Sequence, residues 1–180
     1  EKLGHFDYLS ELHARLQVSV IALGGQPSVL NAEYFVDDLK KRRPGLLRRS
    51  FYLYSIVDFD PSGWIIRDAF MGSLRFYGVK SSQVEDLINP DVLTPDEILQ
   101  ARFPVPAGPD MEEKNRRWFE AVSERRYANM KYLVEETAGG RKLYGLEAEA
   151  VSTEKLDAAL KKLMEPILNQ DEAQLKVYEM

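Results

Sequence analysis

Phe51-Tyr-Leu-Tyr-Ser-Ile-Val-Asp58-Phe-Asp60-Pro-Ser-Gly63 is the stretch on which the reading of this chain turns. Six of its first seven residues, all but Ser55, are apolar, aromatic or β-branched and predict a buried strand over 51–57. Side chains alternate along a strand, so Asp58 and Asp60 share one side and Phe59 takes the other. Two carboxylates at a strand end make a concentrated negative site of oxygen ligands, the chemistry that suits a hard cation such as Mg2+. Pro61 cannot donate to a sheet ladder and helps stop the strand. Ser62 can cap the next helix, and Gly63 lets the backbone pass close to a ligand. A competing reading treats Asp-x-Asp-Pro before a helix as a plain polar turn.

Working outward, 5–16 carries Phe6, Leu9, Leu12 and Leu16 at helical spacing and predicts a helix with one apolar face. Val18 to Ala22 reads as a short central strand, and Gly24-Gly25-Gln26-Pro27 as a turn. Ser28 caps a helix through about Lys41, which Pro44-Gly45 breaks. A helix over about 62–77 and a further short strand over 83–88 come next. This βαβα order implies a parallel sheet with helices on both faces, with ligands beyond the carboxyl ends of the strands, where Asp58 and Asp60 fall.

Asp58-Phe-Asp60-Pro-Ser-Gly63 resembles the DxDPxG motif of Toprim domains in the topoisomerase VI A-subunit group and its relatives among the eukaryotic recombination proteins. In that family a Glu-Lys-x-x-x-Phe segment lies one βα unit earlier, its glutamate ending the first strand. Here the chain opens Glu1-Lys2-Leu3-Gly4-His5-Phe6. Ala22-Leu-Gly-Gly25-Gln26-Pro27-Ser28 is similar to the family's Gly-x-Pro turn after the second strand. The three landmarks stand in order over about 60 residues, which makes the combination more specific than any one alone. Two departures are clear. Gly24 stands where the family often carries a lysine, and Asn31-Ala32 where a Thr-Arg pair is usual. Both place the chain nearer the divergent bacterial and phage-like relatives.

The resemblance implies an α/β Toprim (Rossmann-like) parallel sheet flanked by helices, with additional C-terminal helices. It implies one Toprim domain over 1–180, with a core over about 1–93 and a helical C-terminal part over about 94–180. Glu1 falls where the first strand should just have ended, so a strand and a winged-helix domain are expected upstream. By the same resemblance, Asp58 and Asp60 bind Mg2+, and Glu1 is a further ligand or the acid/base group. Glu147 and Glu149 are possible additional acidic residues, in a segment similar to an acidic Leu-Asp/Glu-Ala stretch of bacterial Toprim proteins. A plain acidic pair leading a helix is the simpler account of them. The family's nucleophile is a tyrosine of the winged-helix domain, and none of the nine tyrosines here sits in a matching motif. Tyr34, Tyr52 and Tyr54 read as structural.

Composition bounds these expectations. The 180 residues suffice for one α/β domain with a full core, and 44% hydrophobic with 29% charged residues is ordinary for a globular protein. The absence of cysteine excludes disulfides, thiolate zinc sites and cysteine nucleophiles, and fits a reducing cytoplasm. No stretch resembles a membrane span or a signal peptide. The net charge of −5 argues against a broad basic nucleic-acid surface. Basic residues nevertheless cluster at Lys40, Lys41, Arg42, Arg43, Arg48 and Arg49, which can reach DNA phosphates beside a metal site or form a solvated face. Lys114, Arg116, Arg117, Arg125 and Arg126 form a second concentration. His5 and His13, eight apart, lack metal-ligand spacing.

Farther along, Thr94-Pro-Asp-Glu97 predicts a helix start with a capping box. Phe103-Pro-Val-Pro-Ala-Gly-Pro109 reads as an ordered linker without regular structure. Asp110 to Thr137 reads as a long amphipathic helical stretch ending at Gly139-Gly140, with Trp118, Phe119, Val122, Met130 and Leu133 as its packing face. A last helix is expected from Ser152 to about Leu168.

The leading functional expectation is the Toprim domain of an ATP-hydrolysing, type IIB-like topoisomerase, binding Mg2+ and DNA. It would act in the cytoplasm at the nucleoid, as a homodimer with an ATPase B-type subunit. The alternatives are a Toprim nuclease, in which metal-activated water replaces the tyrosine, and a non-catalytic Toprim scaffold.

Overall fold

The computed structural model describes residues 6–16, 19–21, 29–48, 51–79 and 81–178. It is an α/β structure with two small sheets. Helices α1 (Phe6–Leu16) and α2 (Val29–Arg42) precede β1 (Phe51–Ser55), α3 (Pro61–Phe76) and β2 (Ser81–Asp86). Strands β1 and β2 pair in parallel, with Leu53 opposite Val84 and Ser55 opposite Asp86. Together with α3 they form one βαβ unit, the connection that parallel neighbours require. Of the expected strand over 18–22, only 19–21 are described, and they form no strand. The turn at Gly24–Pro27 lies outside the described residues. Among those described, the parallel sheet therefore has two strands.

The second half departs from the sequence reading. Helix α4 (Pro95–Ala101) begins on the expected capping box, with Thr94 accepting from the Glu97 N–H and the Glu97 carboxylate accepting from the Thr94 N–H. The segment read as an irregular linker then forms a short strand, β3 (Arg102–Pro104). Proline is tolerated because β3 is an edge and Pro104 holds a position whose nitrogen faces away from its partner. The Val105 N–H, one residue on, donates to the Leu143 carbonyl at 2.9 Å.

The long helix expected over 110–137 is α5 (Pro109–Glu124) only. Arg126 adopts a left-handed backbone, φ 56°, which turns the chain out of the helix. Asp91 receives the N–H groups of Ala128 and Asn129 at 3.1 and 2.9 Å and fixes the new direction. The chain then forms a hairpin of β4 (Val134–Thr137) and β5 (Gly140–Leu146), so Gly139-Gly140 closes a hairpin rather than a helix. Strand β5 is the middle of an antiparallel sheet ordered β3-β5-β4. Helix α6 (Thr153–Tyr178) runs about ten residues past the expected end, with Pro166 inside it.

The larger apolar core draws on both halves of the chain. Tyr8 and Leu12 of α1, Phe59, Trp118 of α5, Leu146 of β5 and Leu156 of α6 all pack into it. Trp118, Val122 and Leu133 are buried and Phe119 and Met130 half-buried, the packing role read from sequence, although Met130 and Leu133 stand beyond the helix. A smaller core lies between α2 and α3, around Ala32, Val36, Phe70 and Leu74.

Candidate metal site

The site begins where β1 stops. Phe59 is 4% exposed and meets Trp118 and Tyr127 edge to face, with ring centroids 5.6 and 5.7 Å away. Its N–H and carbonyl exchange hydrogen bonds with Leu146 at 2.8 and 3.1 Å, a single antiparallel bridge that ties the end of the βαβ unit to β5. With Phe59 pointing into the core, alternation puts Asp58 and Asp60 on the opposite side, both half-buried. Strand β1 itself ends at Ser55, two residues earlier than expected, so the acids stand on the bridge and not on the parallel sheet.

Each carboxylate is held by a backbone donor. Asp60, with φ −150° and ψ 174°, is the N-cap of α3 and accepts from the Gly63 N–H at 2.7 Å. Asp60 thus caps the helix in place of Ser62, which lies inside it, and Pro61 takes the first helical position, where a missing N–H costs nothing. Asp58 accepts from the Ala148 N–H at 2.7 Å, across 90 positions of sequence.

Two glycines permit this closeness. A Cβ on Gly63 would stand 2.1 Å from the Asp58 carbonyl oxygen. A Cβ on Gly145 would stand 2.8 Å from the Phe103 ring and 3.0 Å from the Asp60 Cβ. The sequence reading has Gly63 admitting a ligand to the backbone; in the structure it admits the protein's own strand end.

The other sequence candidates are scattered. Glu1 lies outside the described residues, as does His5. One step along the antiparallel register from the Phe59–Leu146 pair puts Glu147 across from Asp58, with an extended backbone and an exposed side chain. Glu149 lies in the adjoining 3-10 turn, Ala148–Ala150, also exposed. Among the described residues, no three His, Asp or Glu side chains come together in a way that could hold a metal ion. The pair at Asp58 and Asp60 supplies hard oxygen donors of the type Mg2+ takes, an ion commonly held by one or two carboxylates with water filling the rest of its shell.

The basic cluster sits at the end of α2. Lys40 and Arg42 pair with Asp37 and Asp38 of the same helix at 3.7 and 2.7 Å, while Lys41 and Arg43 are exposed. Arg48 closes a 3-10 turn, and Arg49 lies outside the described residues. In the second basic concentration, Arg116 is held by Glu113 and Glu120, and Arg125 by Glu85.

Sequence reasoning missed a polar cluster at the ends of the parallel strands. Asp86, the last residue of β2, accepts from the Ser55 hydroxyl at 2.5 Å and from the Arg67 guanidinium of α3. Arg67 Nε is buried without a hydrogen-bond partner. The cluster borders a cleft of about 240 Å³ lined by Trp64, Arg67, Asp86, Val122 and Arg125, among others. An acid closing the next strand of a βαβ unit was the available signal.

Burial first, then neighbouring charge, pushes the Tyr8 and Tyr127 hydroxyls up to about 12. Burial also raises Tyr54. These three are neutral phenols at physiological pH. Tyr34, read as structural, is 73% exposed.

No family model matches the chain, and neither a curated protein nor a solved structure matches it.

Proposed function

We propose that this chain is a Mg2+-binding Toprim-type domain of a DNA-cleaving subunit similar to the topoisomerase VI A subunit. What supports the reading is that Asp58 and Asp60 flank Phe59, the residue bridged to Leu146 just past β1, with α3 rising directly from Asp60. A bound Mg2+ would supply charge neutralisation at a phosphodiester under attack. Asp58 and Asp60 would hold it, and the backbone donors at Ala148 and Gly63 would fix the direction of both carboxylates. Glu1 is the proposed acid/base group, returning a proton to the leaving 3′-oxygen. The attacking tyrosine belongs to another domain in this reading. DNA, a second copy of the subunit and an ATPase subunit are the proposed partners, and the nucleoid the proposed location. A Toprim-type nuclease would use the same acids with water as the nucleophile.

A second reading, a non-catalytic scaffold, has its own support. Asp60 is a helix cap, Asp58 a tie to the Ala148 turn, and Gly63 a packing glycine, so all three serve the fold without a metal. Titration with Mn2+, monitored by loss of the free-ion EPR signal, separates the readings. The control is Asp58→Asn/Asp60→Asn, which keeps acceptors for both N–H groups. Binding that disappears in the control while the melting temperature holds supports the metal site. No binding, or equal binding in both proteins, supports the scaffold.

A further inference from the structure

Asp58 and Asp60 are held at two levels, side chain and backbone. One oxygen of each carboxylate accepts a backbone N–H at 2.7 Å, from Ala148 for Asp58 and from Gly63 for Asp60. Between the two acids Phe59 is 4% exposed, exchanges two hydrogen bonds with Leu146 and meets the Trp118 and Tyr127 rings. A Cβ on Gly63 would stand 2.1 Å from the Asp58 carbonyl oxygen, and one on Gly145 would stand 3.0 Å from the Asp60 Cβ. The backbone that carries the pair is therefore packed closely on two sides. Both the spacing of the carboxylates and the direction of each are set by the fold.

Rigidity of this kind separates hard cations that share a charge. Mg2+ demands near-ideal octahedral order at roughly 2.1 Å, keeps several waters and is satisfied by one or two carboxylates. Ca2+ takes more oxygens at roughly 2.3–2.6 Å, often both oxygens of one carboxylate, in sites that can flex. An oxygen that already faces the positive end of an N–H dipole is a poorer donor to a cation. Each pinned carboxylate therefore favours binding through one oxygen over binding through two. A pair of this kind suits the smaller, water-retaining ion.

We infer that the acid pair takes Mg2+ in preference to Ca2+, and that the Ala148 N–H is a positioning donor on which this preference depends. The preference rests on the metal site proposed above, and adds which ion the site selects and which backbone group decides. Ala148 is a place where one donor can be removed alone. It opens the 3-10 turn Ala148–Ala150, whose hydrogen bonds run from the Ala150 N–H to the Glu147 carbonyl and from the Val151 N–H to the Ala148 carbonyl. Glu147 has φ −72° and ψ 144°, a conformation favoured before proline. Ala148→Pro thus deletes an N–H and keeps the path of the chain.

The test is competition on the purified chain. Mn2+ is bound first, Mg2+ or Ca2+ is added, and the returning free-ion EPR signal gives the affinity of each competitor. The parent protein should need about tenfold less Mg2+ than Ca2+, the lower end of what groups behind the ligands contribute to metal affinity. In Ala148→Pro that ratio should fall toward one. Asp58→Glu, whose extra methylene carries the carboxylate past the Ala148 N–H, should do the same. Ala148→Gly keeps the N–H and should keep the ratio, which controls for packing around a side chain only 4% exposed. A ratio of affinities is insensitive to partial loss of folded protein, so stability stays out of the readout. Loss of all Mn2+ binding from Ala148→Pro at an unchanged melting temperature upholds the donor as well. Equal displacement by the two ions in a parent that binds Mn2+ overturns the selectivity and leaves the metal site standing. A preference that survives in Ala148→Pro or in Asp58→Glu overturns the role of Ala148. Absence of Mn2+ binding in the parent removes the site and its selectivity together.

Discussion

The βαβ unit and the antiparallel sheet are bridged by the Phe59–Leu146 pair, and they are built in different ways. In the first, β1, α3 and β2 succeed one another within 36 positions, and the turn between strand and helix is set by adjacent residues: Asp60 caps, Pro61 starts, Gly63 packs. In the second, β3 lies about 40 positions from the strand it pairs with, and the turn after α5 is held by Asp91 from far upstream. The acid pair belongs to both. Asp60 is fixed by its own helix and Asp58 by Ala148 of the other half. A site of this kind is a joint, and its geometry depends on the local turn and on the distant contact together.

The most damaging way to break the local side is Gly63→Ala. Alanine is the better helix former by about 1 kcal/mol, so propensity alone predicts stabilisation. The 2.1 Å approach to the Asp58 carbonyl decides the sign, because neither partner is a flexible side-chain end. We expect a loss of about 4 kcal/mol in urea unfolding, at the severe end for single substitutions. Gly72→Ala, in the same helix with nothing within 4 Å, should gain up to about 1 kcal/mol. Equal shifts in the two variants would show that α3 does not seat on the strand end.

Gly145→Ala tests the joint from the other half. Its Cβ would meet the tip of the Phe103 ring, which can yield, as well as the Asp60 Cβ and the Phe59 carbonyl oxygen, which yield less. The expected cost is about 1–3 kcal/mol, the usual range for overpacking. Displacement should be felt at Asp60, so Mn2+ affinity, where present, should fall more than in a surface control. A stability loss with unchanged Mn2+ binding would separate the joint from the site.

The contrast also explains what can be read in the sequence. Period-two alternation is enough to set Asp58 and Asp60 on one side, and Thr-Pro-Asp-Glu is enough to place the start of α4. Both signals lie within a few residues of what they determine. The sequence over 110–137 misleads because its apolar spacing continues past Glu124 with no proline or glycine to stop it. The stop is Arg126 in a left-handed conformation, with the chain beyond it held by Asp91, a contact without local signature. Phe103-Pro104-Val105 reads as irregular because proline is rare in strands, and only the register against β5 shows that its nitrogen points outward. The tie from Ala148 to Asp58 is illegible for the same reason, although the Glu147–Glu149 segment stands out on other grounds.

The smallest expected effect lies at Glu97, where a local and a distant contact meet in one side chain. Glu97 completes the capping box of α4 with Thr94 and also accepts from the Lys155 ammonium of α6 at 2.6 Å, 58 positions away. The Lys155 hydrogen bond first, and the Thr94 backbone and hydroxyl next, hold its carboxyl down to about 2. A carboxyl lowered in the folded state stabilises above its unfolded value, ordinarily near 4.5, and that contribution fades as the pH falls from there toward 2. Glu97→Gln should therefore lie below the parent protein in stability at neutral pH, and the gap should close over that window. Thr94→Ala removes the hydroxyl part of the local contact, while the backbone N–H at position 94 still donates to Glu97, and should cost about 1 kcal/mol at neutral pH. Lys155→Met removes only the distant part and should abolish most of the pH dependence while the cap survives. If Thr94→Ala flattens the pH profile more than Lys155→Met does, the capping box and not the tie to α6 holds Glu97, and the local contact outweighs the distant one even here.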